Sequence, residues 1–579
     1  MTNQEIAGVF ERIADLMEIL GEDRFRINSY RKAARVVGEH TEAMADLVAA
    51  DALKGIPGVG KSTAAKIRQA VETGKIDLHE ELMAQVPPKL PDLLAVGGLG
   101  PKTIAKLWKQ GGVESVEQLK DAIASDPDKL TGIPGLGKKK VQQIAESIAF
   151  LEAARGRIRL DEAGAVADAL ADVVRGLKGV QRVIAAGSLR RGRETIGDVD
   201  LLCEAPKSAG GKITAGFAAA PGVQRIVAQG ETKCSILTDG DVEVDLRVVP
   251  AESFGAAMQY FTGSKAHNIR LRELAVKKGW KLNEYGLFDG DKQLAGADEA
   301  GIYDALGLAF VPPELREDRG EVEAAAKGEL PELLELGDIR GDLHMHTVAS
   351  DGHNTIEEMI SACRARGHAY MAICDHSKSQ VQAHGLDEER LMAHAAAIRE
   401  AGAKYDDILV LAGVEVDIFK DGRLDFEADV LGELDFVTAS AHSALALGRE
   451  EATRRFLRAI EQPHVHCIGH ISGRLIGRRE GMEIDIEAIA EAAAAHNVAL
   501  EINAHPMRLD LRDTHVRAAV AAGAKILINT DAHETAGLGM MRFGVTTARR
   551  GWATAADVVN AWPVEEVKAW LGLPRAEAR

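Results

Sequence analysis

Two aspartates two residues apart, Asp198 and Asp200, lie in the segment GDVDLL, whose apolar residues predict a strand. Residues i and i+2 of a strand point to the same face, so both carboxylates can bind one pair of cations. A later alternating segment, VEVDLRVV, puts Asp245 on the polar face of another strand. If the two strands are neighbours, three carboxylates can hold the two Mg²⁺ ions that in-line nucleotidyl transfer requires. Without further features, a pair of aspartates would more often be an acidic turn.

A glycine-serine turn and an arginine cluster precede these aspartates. Gly187 and Ser188 follow a predicted strand, and Arg190, Arg191 and Arg193 come next. Backbone N–H groups and a hydroxyl in such a turn donate to phosphate, and arginine adds planar, charge-assisted hydrogen bonds. The combination favours a phosphate site over a solvated basic patch beside an acidic turn.

A second group of candidate functional residues follows residue 338, where 15 of the 18 histidines lie. Histidine is the commonest transition-metal ligand. From residue 339, short apolar strands alternate with Ala-rich helices and end in histidine or acidic residues, and the carboxyl ends of parallel strands share one face of a barrel. Nine such residues exceed what one ion needs, so we predict two to three ions, with Mn²⁺, Zn²⁺ or Fe²⁺ suited to the mixed nitrogen and oxygen donors. The nine are His344, His346, Asp351, His376, Glu415, His442, His470, Asp531 and His533.

Three short repeats precede both centres: LKGIPGVGKSTAAKI, LLAVGGLGPKTIAKL and LTGIPGLGKKKVQQI. Each has a G-x-G hairpin followed by a helical run, and N–H groups at the start of a helix form a phosphate site. The repeats resemble helix-hairpin-helix binders of the DNA backbone, which contact DNA without reading its sequence. A plain packing motif is the alternative for any single copy. The hairpin glycines are Gly58, Gly60, Gly98, Gly100, Gly135 and Gly137.

Composition sets the class of protein. The chain has 579 residues, 46% of them hydrophobic and 27% charged, as in a soluble globular protein with several domains. No apolar run approaches the roughly 20 residues needed to span a bilayer, and the amphipathic N-terminus is unlike a signal peptide. Five scattered cysteines without a CxxC pair fit a reducing compartment. We therefore expect a cytoplasmic protein without a membrane partner. The net charge of −18 does not exclude DNA, because carboxylates that hold cations are neutralised.

The segment GSLRRGRETIGDVD resembles the nucleotidyltransferase signature of family X DNA polymerases, the family of polymerase beta, and YFTGSKAHNIRLR resembles its nucleotide-binding segment. The resemblance extends from residue 1 to about residue 320. It implies that Asp198 and Asp200 bind two Mg²⁺ or Mn²⁺ ions, that Asp245 completes the catalytic site, and that deoxynucleoside triphosphates and gapped or primer-template DNA are substrates. The implied nucleotide-binding residues are Gly187, Ser188, Arg191 and Gly197 at the triphosphate, Tyr260, Phe261 and Gly263 at the sugar, Asn268 at the base and Arg272 at the template.

One departure from the family pattern and one further match accompany this resemblance. Lys265 and His267 depart from the pattern of polymerase beta. Some members of the family cleave the sugar of an abasic site with an N-terminal lysine, which Lys66 matches by position. A simple phosphate contact is the alternative role for Lys66.

The histidine-rich region resembles the polymerase-and-histidinol-phosphatase (PHP) domain, a distorted (β/α)7 barrel with three metals, and all nine ligand positions are filled. The resemblance implies a Mn²⁺-stimulated 3′–5′ exonuclease, with abasic-site endonuclease and 3′-phosphatase as further activities.

We therefore predict a multidomain protein: an all-α helix-hairpin-helix N-terminal region, an α/β nucleotidyltransferase palm and thumb, and a C-terminal distorted (β/α)7 barrel. The predicted domains are residues 1–86 (DNA-binding, lyase-like), 87–155 (helix-hairpin-helix subdomain), 156–258 (palm), 259–320 (thumb), 321–338 (linker) and 339–579 (PHP domain). The predicted function is short-gap filling in DNA repair, by a monomer that also removes 3′ nucleotides. The alternatives are a nuclease or phosphatase that uses the first 320 residues as a DNA platform, and a non-enzymatic scaffold at DNA ends.

Overall fold

A computed structural model describes residues 1, 3–38, 44–53, 56, 59–154 and 156–573. The chain forms two compact units: Met1–Arg155 with Gly477–Glu480, and Gly156–Ile476 with Gly481–Arg579. We call them the first and the second unit. Within the described ranges, no helix combines the length and the apolar character that crossing a bilayer requires.

The first unit is helical, and one apolar core runs through it. Its long first helix buries Ile6, Phe10 and Ile13 because these residues recur at helical spacing. The helices are α1 (Asn3–Leu20), α2 (Arg24–Gly38), α3 (Met44–Ala49), α4 (Lys61–Thr73), α5 (Asp77–Met83), α6 (Pro101–Gly111), α7 (Val116–Ser125), α8 (Pro127–Thr131) and α9 (Lys138–Ala154). A 3-10 helix, Leu90–Ala95, occupies the proline-rich joint between α5 and α6.

The second unit begins with a five-stranded sheet of order β2-β4-β7-β6-β5. The central strands β4 and β7 run parallel, and the other neighbours run antiparallel. Strand β7 alternates buried and more exposed residues, as its strictly alternating sequence predicts. The elements are β1 (Ile158–Arg159), α10 (Leu160–Arg175), β2 (Arg182–Ala185), α11 (Gly187–Arg190), β3 (Thr195–Ile196), β4 (Asp198–Glu204), α12 (Gly210–Ala218), β5 (Val223–Gln229), β6 (Lys233–Thr238) and β7 (Glu243–Val249).

The thumb region packs helices against a three-stranded antiparallel sheet, β10-β9-β8. Its elements are α13 (Phe254–Thr262), α14 (Lys265–Lys277), β8 (Lys281–Asn283), β9 (Gly286–Asp289), β10 (Lys292–Ala295), α15 (Glu299–Leu306) and α16 (Glu321–Lys327). Helix α16 lies in the segment 321–338 that the sequence predicts as a linker. Its Val322 and Ala325 are buried in the thumb core. Leu333 and Leu334 are buried as well, so the predicted linker packs against the domains on either side of it.

The remaining strands form a seven-stranded parallel sheet in sequence order, β11 to β17. A parallel bridge between Met345 and Ala532 joins the two edges, so the sheet is nearly closed and its carboxyl ends converge. The strands are β11 (Gly341–Met345), β12 (Tyr370–Ile373), β13 (Leu409–Asp417), β14 (Phe436–Ser440), β15 (Cys467–Ile468), β16 (Ala499–Asn503) and β17 (Lys525–Asn529). The helices are α17 (Ile356–Ala365), α18 (Glu388–Gly402), α19 (Ala428–Leu431), α20 (Arg449–Ile460), α21 (Ile486–His496), α22 (Asp513–Ala521), α23 (Met541–Arg550) and α24 (Val564–Trp570).

Candidate active sites

Three carboxylates meet on the central strands of the five-stranded sheet. Asp198 and Asp200 lie on β4, and Asp200 is directly opposite Asp245 on the parallel strand β7. Gly187 lies against this cluster with φ +62°, and a Cβ built there would come within 2.3 Å of Asp200 Oδ2. Only glycine therefore lets the turn after β2 approach the carboxylates so closely.

The three carboxylates are close enough to repel one another, which favours the binding of cations. Burial, and then the charges of Asp198 and Asp245, raise the pKa of Asp200 to about 7, although Arg247 and Lys233 oppose the shift. Lys233 Nζ lies 2.8 Å from Asp245 Oδ2. The other carboxylate oxygen, Asp245 Oδ1, is buried without a hydrogen-bond partner among the described residues. The donor set therefore fits divalent cations, which would neutralise the repulsion between the three acids.

A cavity of about 720 Å³ opens beside Asp198 and Asp200. All nine residues that the sequence predicts as nucleotide contacts line it: Gly187, Ser188, Arg191, Gly197, Tyr260, Phe261, Gly263, Asn268 and Arg272. Arg157, Arg193, Lys265 and Glu317 also line it. Asp245 is outside this lining and reaches the cluster from its own strand. The cavity thus brings together cationic, aromatic and small residues of the kinds that a nucleoside triphosphate needs.

Neighbouring side chains hold several of these residues in place. Asn268 accepts from Gln259 Nε2 at 2.6 Å and donates through Nδ2 to the carbonyl of Tyr260 at 2.7 Å. The guanidinium carbon of Arg247 lies 4.3 Å from the ring centroid of Phe261. Asn268 and Phe261 are therefore each held by a neighbouring side chain at the cavity.

Glu415 is at the centre of a second cluster, at the carboxyl ends of the barrel strands. Its two oxygens lie 2.8 Å from His376 Nδ1 and 3.0 Å from His470 Nε2. His442 Nε2 lies 3.4 Å away and His344 Nε2 3.6 Å away. Both oxygens of Glu415 lack a hydrogen-bond partner in the described structure although they are buried, as a carboxylate that bridges metal ions would be.

The remaining predicted ligands surround this centre. His346 Nε2 lies 3.0 Å from Asp531 Oδ1. Asp351 lies 3.5 Å from His376 Nε2 and 3.4 Å from His533 Nε2. The ligand atoms form three groups of metal-binding size: His346 with Asp351, His376 and His533; His344 with His346 and Asp531; and His376 with Glu415 and His442.

The pKa shifts in this cluster differ from one side chain to the next. Burial, and then the charges of His533 and His376, lower the pKa of His346 to about 4, which leaves the neutral imidazole that a metal ligand requires. Burial opposes ionisation of Glu415, but the charges of His442, His376 and His344 hold the pKa of its carboxyl well below the usual value. Burial opposes protonation of His442 and His533, but neighbouring carboxylates raise the pKa of both to about 9, so these imidazoles would release a proton when a metal binds.

Residues outside the predicted set support the ligands. Asp375 is fully buried and accepts from the N–H and hydroxyl groups of Thr347 and Ser350 and from His394 Nε2 at 2.7 Å. These contacts fix the loop that carries Asp351. Glu501 Oε1 lies 2.7 Å from His344 Nδ1, and Asp417 Oδ1 lies 2.5 Å from His442 Nδ1. Such carboxylates orient a ligating imidazole.

In the first unit, the hairpin glycines precede helices as predicted. Gly60, Gly100 and Gly137 come directly before α4, α6 and α9. Gly98 and Gly135 lie in the second and third hairpins, while Gly58 lies outside the described residues. Lys106 Nζ on α6 donates to the carbonyl of Pro134 in the third hairpin at 2.7 Å, so these two hairpins pack together.

Lys66 lies in a separate cavity of about 660 Å³ in the first unit, with Arg26, Tyr30 and Arg68 among its lining. Lys66 Nζ lies 2.9 Å from Ser62 Oγ and 5.7 Å from the ring centroid of Tyr30.

Comparison with protein families assigns these regions. Residues 1–76 match the helix-hairpin-helix domain, residues 90–149 the SAM-like helix-hairpin-helix tandem, residues 257–317 the DNA polymerase beta thumb and residues 342–505 the PHP domain. A protein of Arabidopsis thaliana named DNA polymerase lambda is 27% identical over 351 residues, 54% of this chain and 62% of that protein. A protein of Shigella dysenteriae named probable phosphatase YcdX is 29% identical over 208 residues, 34% of this chain and 80% of that protein.

One relative spans both halves. A protein of Bacillus subtilis named DNA polymerase/3'-5' exonuclease PolX is 38% identical over 575 residues, which cover 99% of each chain. The matched region therefore spans the segments that carry the carboxylate cluster of the sheet and the histidine cluster of the barrel. This chain belongs to the family X DNA polymerases that carry a C-terminal PHP domain.

Proposed function

We propose that this chain fills short gaps in DNA at the Asp198–Asp200–Asp245 cluster and removes 3′ nucleotides at the Glu415 cluster. One observation carries the proposal. Three carboxylates on adjacent strands lie beside a cavity that all nine predicted nucleotide-binding residues line. The test is extension of a labelled primer on a one-nucleotide gap with Mg²⁺ or Mn²⁺. We expect one nucleotide to be added. If no nucleotide is added with Mg²⁺ and none with Mn²⁺, the better description is a nuclease that uses the first 320 residues as a DNA platform.

At the polymerase site, Asp198, Asp200 and Asp245 would hold two Mg²⁺ or Mn²⁺ ions, and bound ions would lower the pKa of the attacking hydroxyl and neutralise the leaving pyrophosphate. The chain's own groups position the substrates. Ser188 and Arg191 donate to the triphosphate, and the charge of Arg191 strengthens those hydrogen bonds. The aromatic ring of Tyr260 covers the sugar.

Around the substrate, Phe261 and Gly263 complete the sugar contact, and Asn268, fixed by Gln259, faces the base. Gly187 and Gly197 leave room for the phosphates, and Arg272 contacts the template. These assignments follow from the family resemblance and from the shared cavity.

For the barrel, we propose a metal-dependent 3′–5′ exonuclease with Mn²⁺, Zn²⁺ or Fe²⁺. Bound ions there would polarise the phosphate ester and supply a hydroxide at neutral pH. A 3′-phosphatase is the second candidate, favoured by the match to a protein named probable phosphatase. Abasic-site endonuclease activity uses the same ester chemistry. Primers ending in 3′-OH, 3′-phosphate or carrying an internal abasic site distinguish the three.

The helix-hairpin-helix motifs would bind the DNA backbone without sequence preference, so that log affinity falls with log salt. We propose that the protein acts as a monomer in the cytoplasm on gapped or primer-template DNA.

Lys66 is the candidate nucleophile for removal of an abasic-site sugar. Any DNA adduct that borohydride traps should disappear in Lys66→Ala, because only a primary amine forms the reducible Schiff base. Lys61→Ala, at the start of the same helix, is the matched control and should keep the adduct. An adduct that persists in Lys66→Ala would assign the Schiff base to another amine. If the wild type gives no adduct, the chain has no such lyase activity.

Asp375→Asn should weaken metal binding in the barrel without removing a ligand. The amide keeps the shape of the carboxylate but cannot accept all five hydrogen bonds, so the Asp351 loop loosens, and we expect about 10- to 100-fold more Mn²⁺ to be needed for half-maximal exonuclease activity. The control is Asp435→Asn, whose carboxylate contacts Arg399 and the Ala412 N–H. An unchanged Mn²⁺ requirement in Asp375→Asn would show that the loop is held by other contacts.

A further inference from the structure

Helix α23 of the PHP domain contacts the phosphate-binding turn of the palm. Gly192, two residues before Glu194 in the nucleotidyltransferase signature, has φ +65°, and a Cβ built there would come within 2.1 Å of Thr546 Cγ2 on α23. Phe543, on the same helix, packs against the palm core. The opposite side of α23 is fixed in the barrel, where Val545 and Ala548 are buried. One helix therefore packs both in the barrel and against the palm, next to residues that line the nucleotide cavity.

Arg550, the last residue of α23, contacts two residues that line the nucleotide cavity, Arg191 and Glu317. Its side chain is only 4% exposed. Its Nη1 donates to the main-chain carbonyl of Arg191 at 2.6 Å and lies 3.1 Å from Glu317 Oε1, while its Nη2 lies 2.8 Å from Asp513 Oδ2. The planar guanidinium joins three acceptors in a way that a lysine ammonium could not reproduce.

Glu317 is the link between the two arginines. The same oxygen, Oε1, accepts from Arg191 Nε at 3.1 Å, and Arg191 also donates to the carbonyl of Thr262. Both Arg191 and Glu317 line the nucleotide cavity. Two guanidinium groups thus share one carboxylate oxygen, and Arg193 Nη1 lies farther from it, at 3.9 Å.

We propose that Arg550 of the PHP domain is a positioning residue for the polymerase reaction, holding Glu317 and the main chain of Arg191 so that the Arg191 guanidinium is available to the triphosphate. Without Arg550, Glu317 would have Arg191 as its main counter-charge and would compete with the incoming phosphates for it. The inference rests on the proposed role of Arg191 in nucleotide binding.

The test uses the full chain and single-nucleotide gap filling, with KM for the deoxynucleoside triphosphate and kcat measured separately. Arg550→Met should raise KM about tenfold, the size expected for one misplaced charge-assisted hydrogen bond, with a smaller change in kcat. Arg550→Lys keeps the charge without the fork and should give an intermediate KM. Arg549→Met is the matched control: Arg549 bonds Glu314 and Glu335 at the same domain contact, and its KM should stay within about twofold of the wild type.

A double-mutant cycle separates this role from a merely structural one. Arg191→Ala should itself raise KM, and adding Arg550→Met to it should raise KM no further, because Arg550 acts through Arg191. An equal KM increase from Arg550→Met in both backgrounds, or an unchanged KM in Arg550→Met and Arg550→Lys, would overturn the inference while leaving the role of Arg191 intact. An unchanged KM in Arg191→Ala would reject the triphosphate assignment, and the inference with it. Unchanged 3′–5′ exonuclease activity in each variant verifies that the barrel is folded.

Discussion

Asp245→Asn should abolish DNA synthesis and leave 3′–5′ degradation at its wild-type rate. Asp245 lies directly opposite Asp200 on the neighbouring parallel strand, and its Oδ1 is buried without a partner among the residues described. An amide there removes one of the three negative charges that would hold the cations. A loss of about 4 kcal/mol of transition-state stabilisation corresponds to a rate reduction of about 1,000-fold.

The measurement is the rate of single-nucleotide insertion on a gapped duplex with saturating Mg²⁺. Asp239→Asn, in the exposed turn before β7, is the matched control and should insert at the wild-type rate. Degradation of a single-stranded primer without nucleotides then shows whether the barrel is intact. If Asp245→Asn still inserts nucleotides within tenfold of the wild type, the catalytic carboxylates are not the three on β4 and β7.

The sequence predicts the composition of this site better than its arrangement. Two aspartates at i and i+2 share a face on any strand, and a strictly alternating segment identifies the polar face of β7. The adjacency of β4 and β7 is a pairing between residues about 45 positions apart, for which the sequence has no local signal. Lys233, which contacts Asp245, and Glu317, which contacts Arg191, were missed for the same reason.

The predicted fold class is confirmed. It could be predicted because each region of the sequence carries its own periodicity or repeat. The βα alternation predicts the parallel barrel, and the nine ligand positions follow strand ends whose convergence the topology requires. The supporting residues could not be predicted in this way. His394 lies on α18 without any distinguishing neighbour in sequence, and only the fold brings it to Asp375. Helix α16 in the segment 321–338 could not be predicted, because two buried apolar residues among charges are too few to indicate a helix.

The second large effect is expected for Glu415→Gln, which should abolish the exonuclease and spare DNA synthesis. Glu415 is 1% exposed, and its two oxygens face His376, His442, His470 and His344. The amide has nearly the same volume but cannot bridge two cations, since it has one oxygen and no charge. We expect the exonuclease rate to fall about 1,000-fold, as for loss of a metal that supplies several kcal/mol to the transition state.

The matched control for Glu415→Gln is Glu491→Gln, the same change at an exposed position on α21 of the same barrel. Metal content, determined by mass spectrometry of the folded protein, should fall in Glu415→Gln and stay constant in Glu491→Gln. The contacts of Arg550 with Arg191 and Glu317 do not involve Glu415, so gap filling should remain at the wild-type rate. Retained exonuclease activity with a reduced metal content would mean that ions held by Glu415 are structural, and that hydrolysis depends on the group formed by His346, Asp351, His376 and His533.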